Sequence, residues 1–283
     1  MGVLNGVEPG SLYFYRLAGG DQDYPDPASR CHPQGVHGAS QVIESEFPWY
    51  DSDWTGILLK YYIIYELHVG TFTADGTFEA IIPQLQNLAD LGITAIELMP
   101  IAQFPVERNW GYDGVDLYAA QNSFGGPPRL KELVNACHRQ GIAVILDVVY
   151  NHLGQEGNHL AEVGPYFTDR YETPWGKALN FDGADGNEVR RFSIKNALSW
   201  VNDCHIDALR LDVVHAIQDN SPRTFLEELV QAIAEEAKQL DRKIYLIAES
   251  SDNDVRLIQS QEFGGYGADA QWNDDFHHCC MLC

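Results

Sequence analysis

The chain has 283 residues, of which 45% are hydrophobic and 21% are charged, a composition typical of a globular protein with a sizeable core. Its 41 acidic residues outnumber its 18 lysines and arginines, which gives a formal net charge of −23. This charge argues against nucleic acid or an anionic membrane as a partner, because there is no basic field to attract phosphate. No run of about 18 apolar residues occurs, so the sequence predicts no membrane span.

Residues 1–47 differ in character from the rest of the chain. A short alternating run at 12–16 predicts a strand or two, and three prolines between residues 25 and 33 then prevent long regular structure. So small a piece cannot form a stable sheet by itself. We therefore interpret 1–47 as the tail of an N-terminal β-sandwich domain of the E-set type with its linker, and 48–283 as an incomplete catalytic barrel.

From residue 63 onward, strand-like apolar runs alternate with amphipathic helical patterns. The predicted strands cover 63–66, 95–99, 143–149, 208–214, 244–249 and 268–272. The helical patterns lie at 78–89, 130–137, 194–201 and 225–233, the last starting from Ser221-Pro222. This alternation predicts an α/β fold with parallel strands. A doubly wound sheet would carry a glycine-rich loop after its first strand, which is missing here, so we expect a (β/α)8 TIM barrel truncated to about six β/α units.

Charged residues stand at the ends of four of the predicted strands. Asp147 ends the third strand, Arg210 and Asp212 end the fourth, Glu249 ends the fifth, and the sixth runs into Asp274. One buried acid, or one Arg–Asp pair, is usually structural. In barrels, however, the active site lies at the C-terminal ends of the strands, so four such strands predict a catalytic rim.

Two facing carboxylates indicate cleavage of a glycosidic bond. Retaining hydrolysis needs a nucleophile and a general acid/base about 5–5.5 Å apart, and adjacent strands lie about 4.8 Å apart. Asp212 and Glu249, on adjacent predicted strands, could meet that spacing. Arg210 would keep the nucleophile ionised through its opposite charge.

Three segments resemble signature regions of the α-amylase family of glycoside hydrolases: D-V-V-Y-N-H at 147–152, D-A-L-R-L-D-V-V-H at 207–215 and I-A-E-S at 247–250. The resemblance implies that Asp212 is the nucleophile and Glu249 the general acid/base. The resemblance and the strand ends together suggest seven further residues that contact the sugar: Tyr112, Asp147, His152, Arg210, His215, Asp274 and His277. An aromatic ring such as Tyr112 suits the apolar face of a sugar.

Within this family, the segments at 65–73, 109–127 and 269–278 are most similar to those of enzymes that release trehalose. The resemblance implies hydrolysis of the α-1,4 bond next to the terminal trehalose unit of a maltooligosyl-trehalose. A glucan branching enzyme, which transfers the sugar to another glucan, remains an alternative. A glucan-binding fragment without catalysis is a third interpretation.

The sequence also departs from the family pattern. The fourth signature region, which would supply a third catalytic aspartate, has no match, and we expect a fragment that is open at both ends and aggregates or is poorly active. Ala216 stands where calcium-dependent amylases carry a histidine, so we expect no metal, and no cofactor is implied. Scattered cysteines suit a reduced, cytoplasmic protein. The sequence indicates no oligomeric state.

Overall fold

The computed structural model describes residues 6–281, apart from the side chains of Phe276, His277 and Met281. The segment before residue 48 forms two short antiparallel pairs, β1 (Leu12–Tyr13) with β4 (Ser40–Gln41) and β2 (Tyr15–Arg16) with β3 (Asp23–Tyr24). This segment contacts the larger unit through an ion pair of 3.3 Å between Arg30 and Asp203. Its assignment to a β-sandwich domain stays a prediction.

Six parallel strands form the central sheet, in the order in which they occur along the chain. They are β5 (Ile64–Leu67), β6 (Ala95–Leu98), β9 (Ala143–Val148), β12 (Ala208–Leu211), β13 (Tyr245–Glu249) and β14 (Ala270–Trp272). A doubly wound sheet reverses its strand order at a switch point, whereas this order runs in one direction. The prediction of a barrel with about six β/α units is therefore confirmed. In the part of the chain that the structure describes, β5 and β14 each pair along one edge only.

Helices lie between most of the central strands, as the periodicity predicts, and the last helix follows β14. The helices are α1 (Val69–Phe72), α2 (Phe78–Ile81), α3 (Leu85–Asp90), α4 (Gly126–Arg139), α5 (Leu160–Val163), α6 (Gly186–Cys204), α7 (Phe225–Gln239) and α8 (Asp274–Met281). A single 3-10 turn joins α2 to α3. Within residues 6–281, no helix has both the length and the apolar character needed to cross a membrane.

The two faces of the sheet are buried in different cores, because successive side chains of a strand point to opposite sides. Outward-facing residues such as Ile96, Val144 and Leu209 pack against the helices in the larger core. Inward-facing residues form a smaller cluster around Ala143, Ile145, Ala208 and Ile247. Trp54, Ile57 and Tyr62, from the segment that leads into β5, pack against this inner cluster at the N-terminal end of the strands.

A buried network of charges, here called the basal network, lies at the same N-terminal end. The carboxylate of Asp207 has no solvent exposure and accepts hydrogen bonds from Trp54 Nε1 at 2.7 Å, His138 Nε2 at 2.9 Å and Arg242 Nη2 at 3.1 Å. His138 Nδ1 also lies 2.7 Å from Asp51. Since both ring nitrogens face carboxylates, the imidazolium is the form that satisfies both contacts. The network attaches the segment around residues 51–54 to the sheet.

Two element boundaries differ from the sequence prediction. The strand predicted at 208–214 ends at Leu211, because Val213 adopts φ of +42° and a 3-10 turn follows at Val214–Ala216. Helix α7 begins after Thr224, whose side chain and that of Glu227 form a capping box. The start predicted at Ser221-Pro222 is therefore wrong, and the Ser221 hydroxyl instead accepts a hydrogen bond from Arg190.

Two antiparallel hairpins extend from the sheet and were not predicted. They are β7 (Ala102–Gln103) with β8 (Asp116–Ala120) and β10 (Phe167–Thr173) with β11 (Gly176–Leu179). The second hairpin turns through Pro174-Trp175-Gly176, and Gly176 has φ of +131°. Both hairpins bring loop residues to the C-terminal ends of the central strands.

Candidate active site

The inward face of the sheet turns from apolar to charged towards the C-terminal ends of the strands. Along β9, Ala143 and Ile145 face inward, and Asp147 is the next residue on that face. Arg210 pairs in register with Asp147 and with Ile247 on the other side. Strict alternation along the strands therefore brings Glu97, Asp147, Arg210 and Glu249 to the same inward face, at successive heights towards the C-terminal ends of the strands. These four residues are here called the charged layer.

Arg210 is the centre of this layer. Its Nη1 donates to Asp147 Oδ2 at 2.6 Å and to Asp212 Oδ1 at 3.2 Å, and its Nη2 lies 3.3 Å from Glu249 Oε1. Burial works to lower the pKa of this guanidinium, but the Asp147 and Glu249 carboxylates raise it above its usual range. Because the guanidinium group is planar, permanently charged and has five N–H donors, it can bind three carboxylates at once.

Asp212 lies immediately beyond β12, where the chain turns away from the sheet. Its Oδ2 and its carbonyl oxygen each accept a hydrogen bond of 2.9 Å from Asn151 Nδ2. The next residue, Val213, is a β-branched residue in the left-handed region, which is costly unless other contacts hold it. The Val213 N–H donates to Glu249 Oε2 at 2.6 Å, so the Glu249 side chain holds the turn that positions Asp212.

Tyr112 reaches this layer from the loop between β7 and β8. Its hydroxyl donates to Asp147 Oδ2 at 3.0 Å. Burial raises the pKa of Asp147 to about 7, although Arg210 and Tyr112 act to lower it. The preceding Gly111 has φ of +99°, and a Cβ there would lie 2.0 Å from the carbonyl oxygen of Pro100. Only glycine allows this close approach, which explains why a glycine precedes Tyr112.

His152 lies at the rim, beside the β10–β11 hairpin. Its ring is buried and contacts the side-chain oxygen of Asn151, and it stacks on Trp175 with ring centroids 4.9 Å apart. Burial lowers the pKa of His152 below its ordinary value, which favours the neutral ring. Trp175 remains 41% exposed, so its outer face is free to contact a sugar ring.

Three of the predicted contact residues lie away from Arg210. His215 is exposed in the turn after Val213 and lines a separate polar cavity of about 210 Å³ with Asp252 and Arg256. Asp274 is exposed at the start of α8, beyond β14. Among the described residues, neither takes part in the hydrogen bonds and ion pairs of Arg210, Asp212 and Glu249. The His277 side chain lies outside the described part of the chain. The roles of all three stay predictions.

Sequence reasoning missed Glu97 and Trp175 at this site, as well as Asn151, which donates to Asp212. Glu97 is the only acid within the apolar run of β6, and its inward position follows from the period of two, so the signal was present. Trp175 follows a proline and precedes a glycine, which is a turn signal. Its stacking on His152 depends on the fold of the hairpin, for which the sequence gives no direct signal.

Comparisons with known proteins agree with this geometry. The family described as the catalytic domain of alpha amylase matches residues 30–175. A malto-oligosyltrehalose trehalohydrolase of Saccharolobus solfataricus is 51% identical over 98% of this chain and 48% of its own length. A candidate alpha amylase from Salmonella typhimurium, known from its crystal structure, has a TM-score of 0.90 and 41% identity over 99% of this chain and 47% of its own.

A more distant relative represents a different chemistry. The 1,4-alpha-glucan branching enzyme of Corynebacterium glutamicum is 34% identical over 75% of this chain and 31% of its own length. The chain spans about half the length of the trehalohydrolases that it matches. The family match covers just over half of the chain and includes β5, β6 and β9, the first three strands of the central sheet. The chain therefore belongs to the α-amylase family of glycoside hydrolases.

Proposed function

We propose that this chain carries the nucleophile and the general acid/base of a retaining glycoside hydrolase that releases trehalose from maltooligosyl-trehalose. The observation that carries the proposal is the position of Asp212 and Glu249, which flank one guanidinium at the ends of adjacent strands. This arrangement supports the close spacing of two carboxylates that retention requires. Identity of 51% to a protein named malto-oligosyltrehalose trehalohydrolase supports the choice of substrate.

The proposed reaction has two steps. In the first, Asp212 attacks the anomeric carbon and forms a glycosyl ester, while Glu249 donates its proton to the departing oxygen of trehalose. In the second, water attacks the same carbon, returns a proton to Glu249 and releases the remaining glucan. Arg210 and Asn151 hold Asp212 with its charge directed at the reacting carbon.

The remaining residues are proposed to bind the glucan. Tyr112 presents its ring beside Asp147, and His152 presents an imidazole beside Asn151 and Trp175, which suits a sugar ring with one apolar face. His215, Asp274 and His277 would contact units further from the cleaved bond. Cys137 and Cys204 are buried as free thiols, which suits the cytoplasm as the location.

A glucan branching enzyme is the second candidate, because a relative with that name is 34% identical. The same two acids would then transfer the sugar to another glucan instead of water. The two candidates differ in product: trehalose from one, new α-1,6 branches from the other.

The test uses the full-length gene product with maltooligosyl-trehalose and, separately, with a linear α-glucan. We expect trehalose as product, together with a new reducing end that first forms as the α anomer. Asp212→Asn and Glu249→Gln are each expected to lower kcat by about a thousandfold or more. Asp203→Asn, on the distant end of α6, serves as the matched control and should leave kcat unchanged. Turnover that survives either active-site substitution would contradict the assignment, and branches without trehalose would favour the second candidate.

A further inference from the structure

Glu97 is a buried acid for which the reaction described above has no use. It lies on β6, the second of the six central strands, faces inward and is 1% exposed. Among the described residues, no donor forms a hydrogen bond to either of its carboxyl oxygens. An ionised carboxylate is costly to bury without hydrogen-bond donors, so this setting favours the neutral acid.

The groups that face Glu97 come from every neighbouring strand. Glu66 lies on β5 and Asp147 on β9, the two strands that pair with β6, and Glu249 lies on β13, two strands beyond β9. Arg210 is the only cation among them, with its Nε 3.9 Å from Glu97 Oε1. Tyr112 contacts Asp147 and adds no positive charge.

One guanidinium therefore faces more carboxylates than it can neutralise. Its two terminal nitrogens contact Asp147, Asp212 and Glu249. Its third edge, Nε, forms no hydrogen bond within the described structure and faces Glu97. A second full ion pair at Nε would draw the guanidinium towards Glu97, away from the two acids of the reaction.

We propose that Glu97 is a positioning residue of the reaction under "Proposed function", on which this inference rests. As an uncharged carboxylic acid, it supports the Nε edge of Arg210 from inside the sheet and leaves the charged edges to Asp212 and Glu249. Its ionisation shifts Arg210 and slows turnover.

The first experiment compares kcat over a pH range for the wild type, Glu97→Gln and Glu66→Gln in the full-length gene product. Burial raises the pKa of Glu97 to about 8, so about one tenth of the molecules keep this proton near pH 9. Glutamine cannot ionise. We expect similar rates for Glu97→Gln and the wild type near pH 6.5, and a ratio that rises about tenfold in favour of the variant near pH 9.

Glu66→Gln is the matched control, because Glu66 pairs in register with Glu97 but is exposed. It keeps Glu97 ionisable, so its rate should fall with rising pH as that of the wild type does. A ratio of Glu97→Gln to wild type that stays constant with pH would overturn the inference. So would a folded Glu97→Gln that has lost most of its activity near pH 6.5, since the negative charge would then be needed.

The second experiment needs no turnover and measures the urea midpoint against pH. A carboxyl whose pKa is raised on folding adds stability at low pH that is lost as the pH rises towards about 8. The urea midpoint of Glu97→Gln minus that of the wild type should therefore increase between about pH 5 and 8. Parallel curves would overturn the inference. Glu97→Met gives the same comparison if the glutamine variant does not fold.

The two hypotheses fail in different ways. If the wild type releases neither trehalose nor branched glucan, the proposed function is wrong, and the urea midpoints still decide the charge of Glu97. If the wild type is active and both pH comparisons are flat, the function stands and the role of Glu97 is rejected.

Discussion

The basal network predicts a large loss of stability for Asp207→Asn. Asp207 is fully buried and accepts four hydrogen bonds, from Trp54, His138, Arg242 and the backbone N–H of Val144. An asparagine keeps one acceptor oxygen but turns an NH2 group towards donors on the other side. It also removes the negative charge between His138 and Arg242.

The expected magnitude follows from these contacts. Removing one partner of a buried charge pair costs about 3–5 kcal/mol, and each donor left without an acceptor costs about 1–3 kcal/mol. Because these two contributions overlap, we expect Asp207→Asn to lower the free energy of unfolding by about 3–5 kcal/mol. For a chain of this size, that corresponds to a decrease in Tm on the order of 10 °C.

Urea denaturation followed by far-ultraviolet circular dichroism measures this loss. Asp203→Asn is the matched control, because Asp203 pairs with Arg30 at 3.3 Å where both side chains are partly exposed. Such a surface pair is worth about 1 kcal/mol or less. If Asp207→Asn cost no more than Asp203→Asn, the buried charge would not anchor the segment around residues 51–54, and the reasoning would be refuted.

Three further predictions concern stability and association. Burial opposes the charged form of His138, but Asp207 and Asp51 raise its pKa. The contribution of the charged His138 to stability is therefore present below about pH 6.5 and is lost as the pH rises through the raised pKa. As the pH rises over this range, the urea midpoint should fall less for His138→Gln than for the wild type. Thr224→Ala removes the capping box of α7 and should lower the free energy of unfolding, measured by urea denaturation, by about 1–2 kcal/mol. Thr224→Ser keeps a capping hydroxyl and should retain most of this stability. Within residues 6–281, β5 and β14 each have one unpaired edge, so sedimentation of the 283-residue chain should detect self-association that increases with concentration. A stable monomer at high concentration would contradict this.

The sequence was sufficient to predict the repeating β/α units and the acids at their ends. Apolar runs such as 143–149 are separated by helical periodicity, and Gly92 and Gly141, both with positive φ, mark the turns from helix to strand. Asp147, Arg210 and Glu249 could be placed at one rim, because each stands at the end of a predicted parallel strand and a period of two fixes the side on which each lies. These patterns depend only on residues close together in the chain, and the strands and helices of the structure follow them.

The parts that were not predicted depend on contacts between distant residues. Val213-Val214 has high β propensity, yet the strand ends before it, because the Glu249 carboxylate holds the Val213 N–H in a turn. The basal network joins Asp51, His138 and Asp207, and nothing in the chain order indicates that these residues meet. In both cases, a tertiary contact outweighs local preference.

The hydrogen bond from Val213 to Glu249 has a consequence for kinetics. The side chain proposed to shuttle the proton also fixes the backbone one residue beyond Asp212, so substituting Glu249 disturbs the attacking oxygen as well. The penalties of single substitutions at the two positions will therefore overlap, and the double variant will be less impaired than the product of both. Neither carboxylate can be assigned an independent share of the rate enhancement.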